Sequence, residues 1–164
     1  MTSNEDPDHL EWNGKVRKET PTQQLDRNWL ALLQELRVLQ TGVQLLTGFL
    51  LTLPFQSRFD DLSSTGHAVY LVTVSASIVA TILLVAPVGM HRLLFRQRAI
   101  GALVSVGNRL AIGGLIMLGV TLIGAVALTF EIVLGMSASL PAAGVVGLLL
   151  IGFWFVLPRA YRNG

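Results

Sequence analysis

The sequence predicts an all-α protein: a four-transmembrane-helix bundle with a long first helix extending into the cytoplasm. Three observations carry that expectation. Hydrophobic residues make up 52% of the chain and charged residues only 13%, where a soluble domain has about a quarter of its residues charged. Four apolar runs, at about 36–55, 68–90, 110–134 and 141–157, are each long enough to approach the span of a bilayer. Threading the chain through those runs puts eleven of its twelve Lys and Arg residues on one side.

Residues 1–19 are polar and without period, which reads as a disordered tail. Residues 20–164 form the membrane domain. Thr20-Pro21-Thr22-Gln23 marks a helix start: Thr20 caps, Pro21 suits the first helical position, and Gln23 completes a capping box. From there one helix can run to about Pro54. Leu25, Trp29, Leu32, Leu36, Leu39, Val43, Leu46, Leu50 and Leu53 alternate four and three apart, a heptad seam. Such a helix is roughly 50 Å long against a hydrocarbon core of about 30 Å, so its first third projects from the membrane as an amphipathic stalk. The seam either packs inside one subunit or drives a self-associating coiled coil. The first apolar run begins only around Leu36, so this helix reads as an uncleaved anchor.

The second span holds Pro87 near its end, where a kink costs little because the helix is finishing. The third covers about Leu110–Leu134, with a backward extension through 99–106 left open. The fourth follows Pro141 and is closed by Pro158, and Leu140 and Trp154 serve its interfaces, with Tyr161 beyond. Sidedness comes from Lys15, Arg17, Lys18, Arg27 and Arg37 before the first span, Arg92, Arg96, Arg98 and Arg109 between the second and third, and Arg159 and Arg162 after the fourth. Only Arg58 falls in the other loops. Both termini are therefore expected in the cytoplasm. Ten Arg against two Lys, with abundant Gly and Ala, points to a bacterial source and so to the bacterial cytoplasmic membrane.

Several polar residues need an explanation. Thr73, Ser77 and Thr81, Gly113, Gly124 and Ala127, and Ala143 and Gly147 read as close helix–helix contacts. Gln40 and Gln44 lie one turn apart on the first span, either as an interhelical clasp or as a polar lining for a substrate or ion. Glu35, Arg37, Arg92, Asn108 and Arg109 map near the cytoplasmic boundary. Glu35 is expected to pair with Arg109 or Arg92, the alternative being side chains that snorkel to water. Glu131 is the one carboxylate inside a long apolar run, on the face of Ala127, Gly124 and Gly113. It is a candidate ion or proton site, or a group solvated at the outer surface or paired with His67 or Arg58.

The same reading narrows the chemistry. A net charge of +2 is too small to argue for nucleic acid, and the absence of cysteine removes disulfides and thiolate chemistry. His9, His67 and His91 lie too far apart to share a metal, and no residue set calls for a cofactor or forms a catalytic constellation. The run from His91 to Arg98 is basic and apolar together and is expected to attract anionic lipids at the cytoplasmic face.

The stretch Glu35-Leu36-Arg37-Val38-Leu39-Gln40-Thr41-Gly42-Val43-Gln44, running on to Leu53-Pro54-Phe55, resembles a bacterial, largely actinobacterial, family of small four-helix membrane proteins of unknown function. Ala86-Pro87-Val88, His91-Arg92 and Asn108-Arg109 are similar as well. The resemblance covers about residues 22–135 and implies a membrane-embedded bundle. Sodium:proton antiporter is a label sometimes attached to such proteins. Antiporters usually bind their ions near the bilayer midplane, where this chain has no carboxylate. The expected function is non-enzymatic: a scaffold or accessory subunit acting as a homo-oligomer or docked on a larger membrane complex. The alternative is a small oligomeric ion channel or secondary proton/cation transporter.

Overall fold

The computed structural model describes residues 20–94 and 100–162, and every regular element among them is helical. Helix α1 is Pro21–Thr52, α2 Ser64–Leu94, α3 Ile100–Leu134 and α4 Met136–Ile151. A 3-10 turn at Leu53–Phe55 ends α1, and a π-helical turn at Gly152–Val156 joins α4 to a terminal α5, Leu157–Arg162. Four segments are long and apolar enough to cross a membrane: Arg27–Phe55, Ser64–Met90, Ser105–Leu134 and Met136–Tyr161. The chain is thus a multi-pass membrane protein. The expected disorder of the tail and the side chains of the basic run 91–98 lie outside the described residues.

Helix α1 starts as its capping box requires. Gln23 N donates to Thr20 Oγ1 at 3.3 Å, and Thr20 N donates to Gln23 Oε1 at 2.8 Å. Every seventh residue of the seam, Trp29, Leu36, Val43 and Leu50, is buried, and Leu32, Leu39, Leu46 and Leu53 between them are half-buried. The seam packs within the subunit. Leu36 and Val43 form one core cluster with Ala80 and Leu84 of α2 and Ala111 of α3.

The backward extension of the third helix, left open in the sequence, is realised and accompanies the early part of α1. Helix α3 begins at Ile100, so its first turns run beside it. Trp29 lies over Gly107, where an added Cβ would sit 2.9 Å from the ring. Asn108 and Arg109 interrupt the apolar run, but neither breaks helical backbone, and no proline stands between 100 and 110.

Helices α2 and α3 form a tight antiparallel hairpin with one register throughout: Leu84 meets Gly114, Leu83 meets Gly113, Thr73 meets Gly124, and Glu131 meets Gly66. A Cβ on Gly114 would stand 2.7 Å from Leu84, so the missing side chain sets the interhelical distance. Pro87, expected near the end of its helix, is fully buried and interior, since α2 continues to Leu94.

Helix α4 packs on α3 and corrects two further expectations. Gly135, at φ +87°, reverses the chain in a single residue. The helix therefore begins at Met136, and Pro141 lies inside it rather than before it. Pro158 does not close the span either. In the π turn ahead of it, Leu157 N donates to Gly152 O, five residues back, and the widened turn gives the proline ring room to follow. Trp154, expected at the interface, is half-buried, with its ring 3.5 Å from the Cβ position of Gly119. These contacts gather Arg37, Arg109 and Arg159 toward one end of the bundle, the basic end. Asp60, Asp61 and Glu131 lie at the other, the acidic end.

Candidate functional site

The best-built polar site is at the acidic end, where the loop after α1 enters α2. Ser63 stands just before the first residue of α2. Its Oγ accepts from Gly66 N at 2.9 Å, the bond of an N-capping serine. The same hydroxyl donates to Glu131 Oε1 at 2.6 Å, and Ser63 N donates to that oxygen at 3.0 Å. The carboxylate thus lies against the first turn of α2, where the unpaired N–H groups and the positive end of the helix favour a negative charge. Gly66 makes the approach possible, because a Cβ there would sit 2.6 Å from Oε1 and 2.8 Å from Oε2.

The partners expected for Glu131 hold the same corner by other means. Arg58 Nη1 reaches the carbonyl of Ile132 at 3.4 Å, and His67 Nδ1 hydrogen-bonds the carbonyl of Ser63 at 2.9 Å. Phe59 meets His67 and Tyr70 edge-on, each at 5.0 Å between ring centroids. Leu62, Tyr70 and Leu128 form the apolar floor. Half-buried Glu131 therefore joins three pieces of chain: the α1–α2 loop, α2 and the end of α3. An acceptor held by two donors on a helix terminus is an anchoring arrangement.

The glutamine pair separates. Gln40 Nε2 donates to the carbonyl of Leu84 at 2.7 Å. Leu84 lies in the helical turn just before Pro87, whose missing N–H leaves the carbonyl of Leu83, not that of Leu84, without its helical donor. Gln44 is exposed and has no hydrogen-bond partner among the described residues.

The basic-end residues are not brought together. Glu35, Arg37, Asn108 and Arg109 are all exposed, and among the described residues Glu35 and Arg109 form no ion pair. Helical geometry explains this. Burying Leu36 turns its neighbours 35 and 37 outward, and burying Gly107 and Ala111 does the same for 108 and 109. The side chain of Arg92 lies outside the described residues.

The stripe of hydroxyls on α2 is closed on its own helix. Thr73 donates to Val69 O at 2.7 Å, Ser77 to Val74 O at 2.8 Å and Thr81 to Ser77 O at 2.9 Å; on α3, Thr121 donates to Met117 O at 2.8 Å. Ser139, which the sequence reading passed over, is buried and donates across helices to Ala127 O at 2.8 Å. Ser63 and Gly66 were equally unmarked, although Ser63-Ser64-Thr65-Gly66 before an apolar run carries the signature of a helix start. No group of three His, Asp or Glu side chains gathers among the described residues in a way that could hold a metal ion.

A model of a family of unknown function (DUF6328) matches residues 18–158, and the chain belongs to that family. Nothing among the curated proteins or the solved structures matches it.

Proposed function

We propose that this family member is a non-enzymatic scaffold or accessory subunit of a bacterial cytoplasmic membrane, working by lateral association with other membrane-embedded helices. The observation that carries this reading is where its buried polar groups go. Gln40, Thr73, Ser77, Thr81 and Thr121 all donate to backbone carbonyls within the bundle. With their protons donated to backbone carbonyls, these groups serve contacts within and between helices. The clustering of Arg37, Arg109 and Arg159 at one end supports a cytoplasmic placement of both termini and contact there with anionic lipids.

Flux through liposomes carrying the purified protein tests the reading against a channel or transporter. Proton and sodium flux should equal that of empty liposomes across a range of pH. Protein-dependent flux reduced by Glu131→Gln would overturn the scaffold reading and establish transport in its place.

A further inference from the structure

We infer that two copies of this chain associate side by side through the outward ridge of α1, with their Gln44 amides hydrogen-bonded across the interface. The inference rests on the lateral-association reading and supplies its partner. Opposite the buried seam, α1 and the 3-10 turn that ends it carry a second set of residues spaced four and three apart: Arg37, Thr41, Gln44, Gly48, Leu51 and Phe55. All six are exposed. The row is one continuous helix face, and in paired parallel helices a single polar residue on such a face fixes the register.

Depth makes Gln44 the decisive member. It lies nine residues before Leu53, about 14 Å along the helix, and half the hydrocarbon thickness is about 15 Å. A glutamine side chain cannot reach water from there, and an amide left without partners in hydrocarbon is strongly disfavoured. Gln40, one turn away, has its partner inside the bundle, whereas none of the described residues supplies one for Gln44. Thr41 donates its hydroxyl proton to Arg37 O at 3.1 Å and makes no hydrogen bond to Gln44.

A second copy is the fitting occupant. A primary amide carries donors and an acceptor on one group, so two of them satisfy each other about a two-fold axis. Copies inserted with the same topology bring their Gln44 residues to the same depth. Gly48, one turn beyond, has nothing within 4 Å of its Cβ position and lets the two backbones approach. The paired Arg37 residues lie about 24 Å along the helix from Leu53, close enough to the far boundary for their long side chains to snorkel to water.

Energy transfer between labelled copies of the full chain, measured in liposomes over a series of protein-to-lipid ratios, tests the pairing. Gln44→Leu should weaken association about three- to thirtyfold, the range of interhelical hydrogen bonds in membranes, while leaving the unfolding of the dissociated monomer unchanged. Because the chain has no cysteine, single-cysteine variants add a map. Leu51→Cys should cross-link into dimers on oxidation, whereas Phe49→Cys, equally at the surface but off the ridge, should not. Energy transfer no greater than for random mixing at every ratio overturns the inference and leaves docking on a different membrane protein standing. Association that Gln44→Leu does not weaken, with cross-links at Leu148→Cys of α4 in place of Leu51→Cys, overturns the α1 interface alone. Flux through the liposomes, the failure of the scaffold reading, is a separate readout.

Discussion

The inward and outward faces of α1 repeat at the same spacing and differ in what meets them. On the inward face, Leu36, Val43 and Gln40 find apolar side chains and a backbone carbonyl of α2. On the outward face, exposed Gln44 has no hydrogen-bond partner among the described residues, and Gly48 has nothing within 4 Å of its Cβ position. Gln40 and Gln44 are the same residue type one turn apart, so neither composition nor propensity separates them. What separates them is that α2 and α3 can cover only one side of a helix. In water the outward face would simply be solvated. In hydrocarbon an apolar side chain is equally at ease there, but an amide is not.

The difference between the faces is measurable. The largest effect is expected from bulk on the inward side of the hairpin. Gly124→Leu drives a side chain into Thr73 and should lower the unfolding free energy in detergent by about 3 kcal/mol, whereas Gly48→Leu on the outward face should leave monomer stability unchanged. Next is Glu131→Ala, which strips the acceptor from Ser63 N and Oγ and should cost about 1–2 kcal/mol, the low side of a charge-assisted bond because the site is half-buried. Faster hydrogen exchange in the first turn of α2 would localise that loss. Gln40→Leu should cost about 0.6–1.7 kcal/mol, one interhelical bond in a membrane protein. Gln44→Leu should cost the monomer nothing within about 0.5 kcal/mol and act only on association. Equal destabilisation by the two glutamine substitutions would show that Gln44 has a partner inside its own bundle.

Much of the fold is legible in the residues. The capping box at Thr20, the heptad seam of α1 and the four apolar runs correspond to elements that form. Element ends were harder to read, for identifiable reasons. Pro141 and Pro158 look like helix boundaries because proline removes a donor. A single Gly135 in the left-handed region sets the true start of α4, and a π turn accommodates the second proline. Hydropathy falls at Gly107, Asn108 and Arg109, which left the start of the third helix open, yet Gly107 is where α3 receives Trp29. For the site, the small-residue face correctly turns Glu131 toward protein. Its partner could not be read, because Ser63 lies far away in sequence and the two meet only through the register of α2 on α3.

The sequence by itself determined the class of environment, the number of apolar crossings and which stripe of α1 is buried, because each follows from a periodicity or a composition within one segment. Tertiary structure alone decided which polar groups are satisfied. A hydrogen bond across helices depends on the height at which two helices meet, and that height is set by where glycines such as Gly66, Gly114 and Gly124 let the backbones approach. The same contacts that gave Gln40 a carbonyl and Glu131 a helix terminus left Gln44 exposed, without a partner among the described residues.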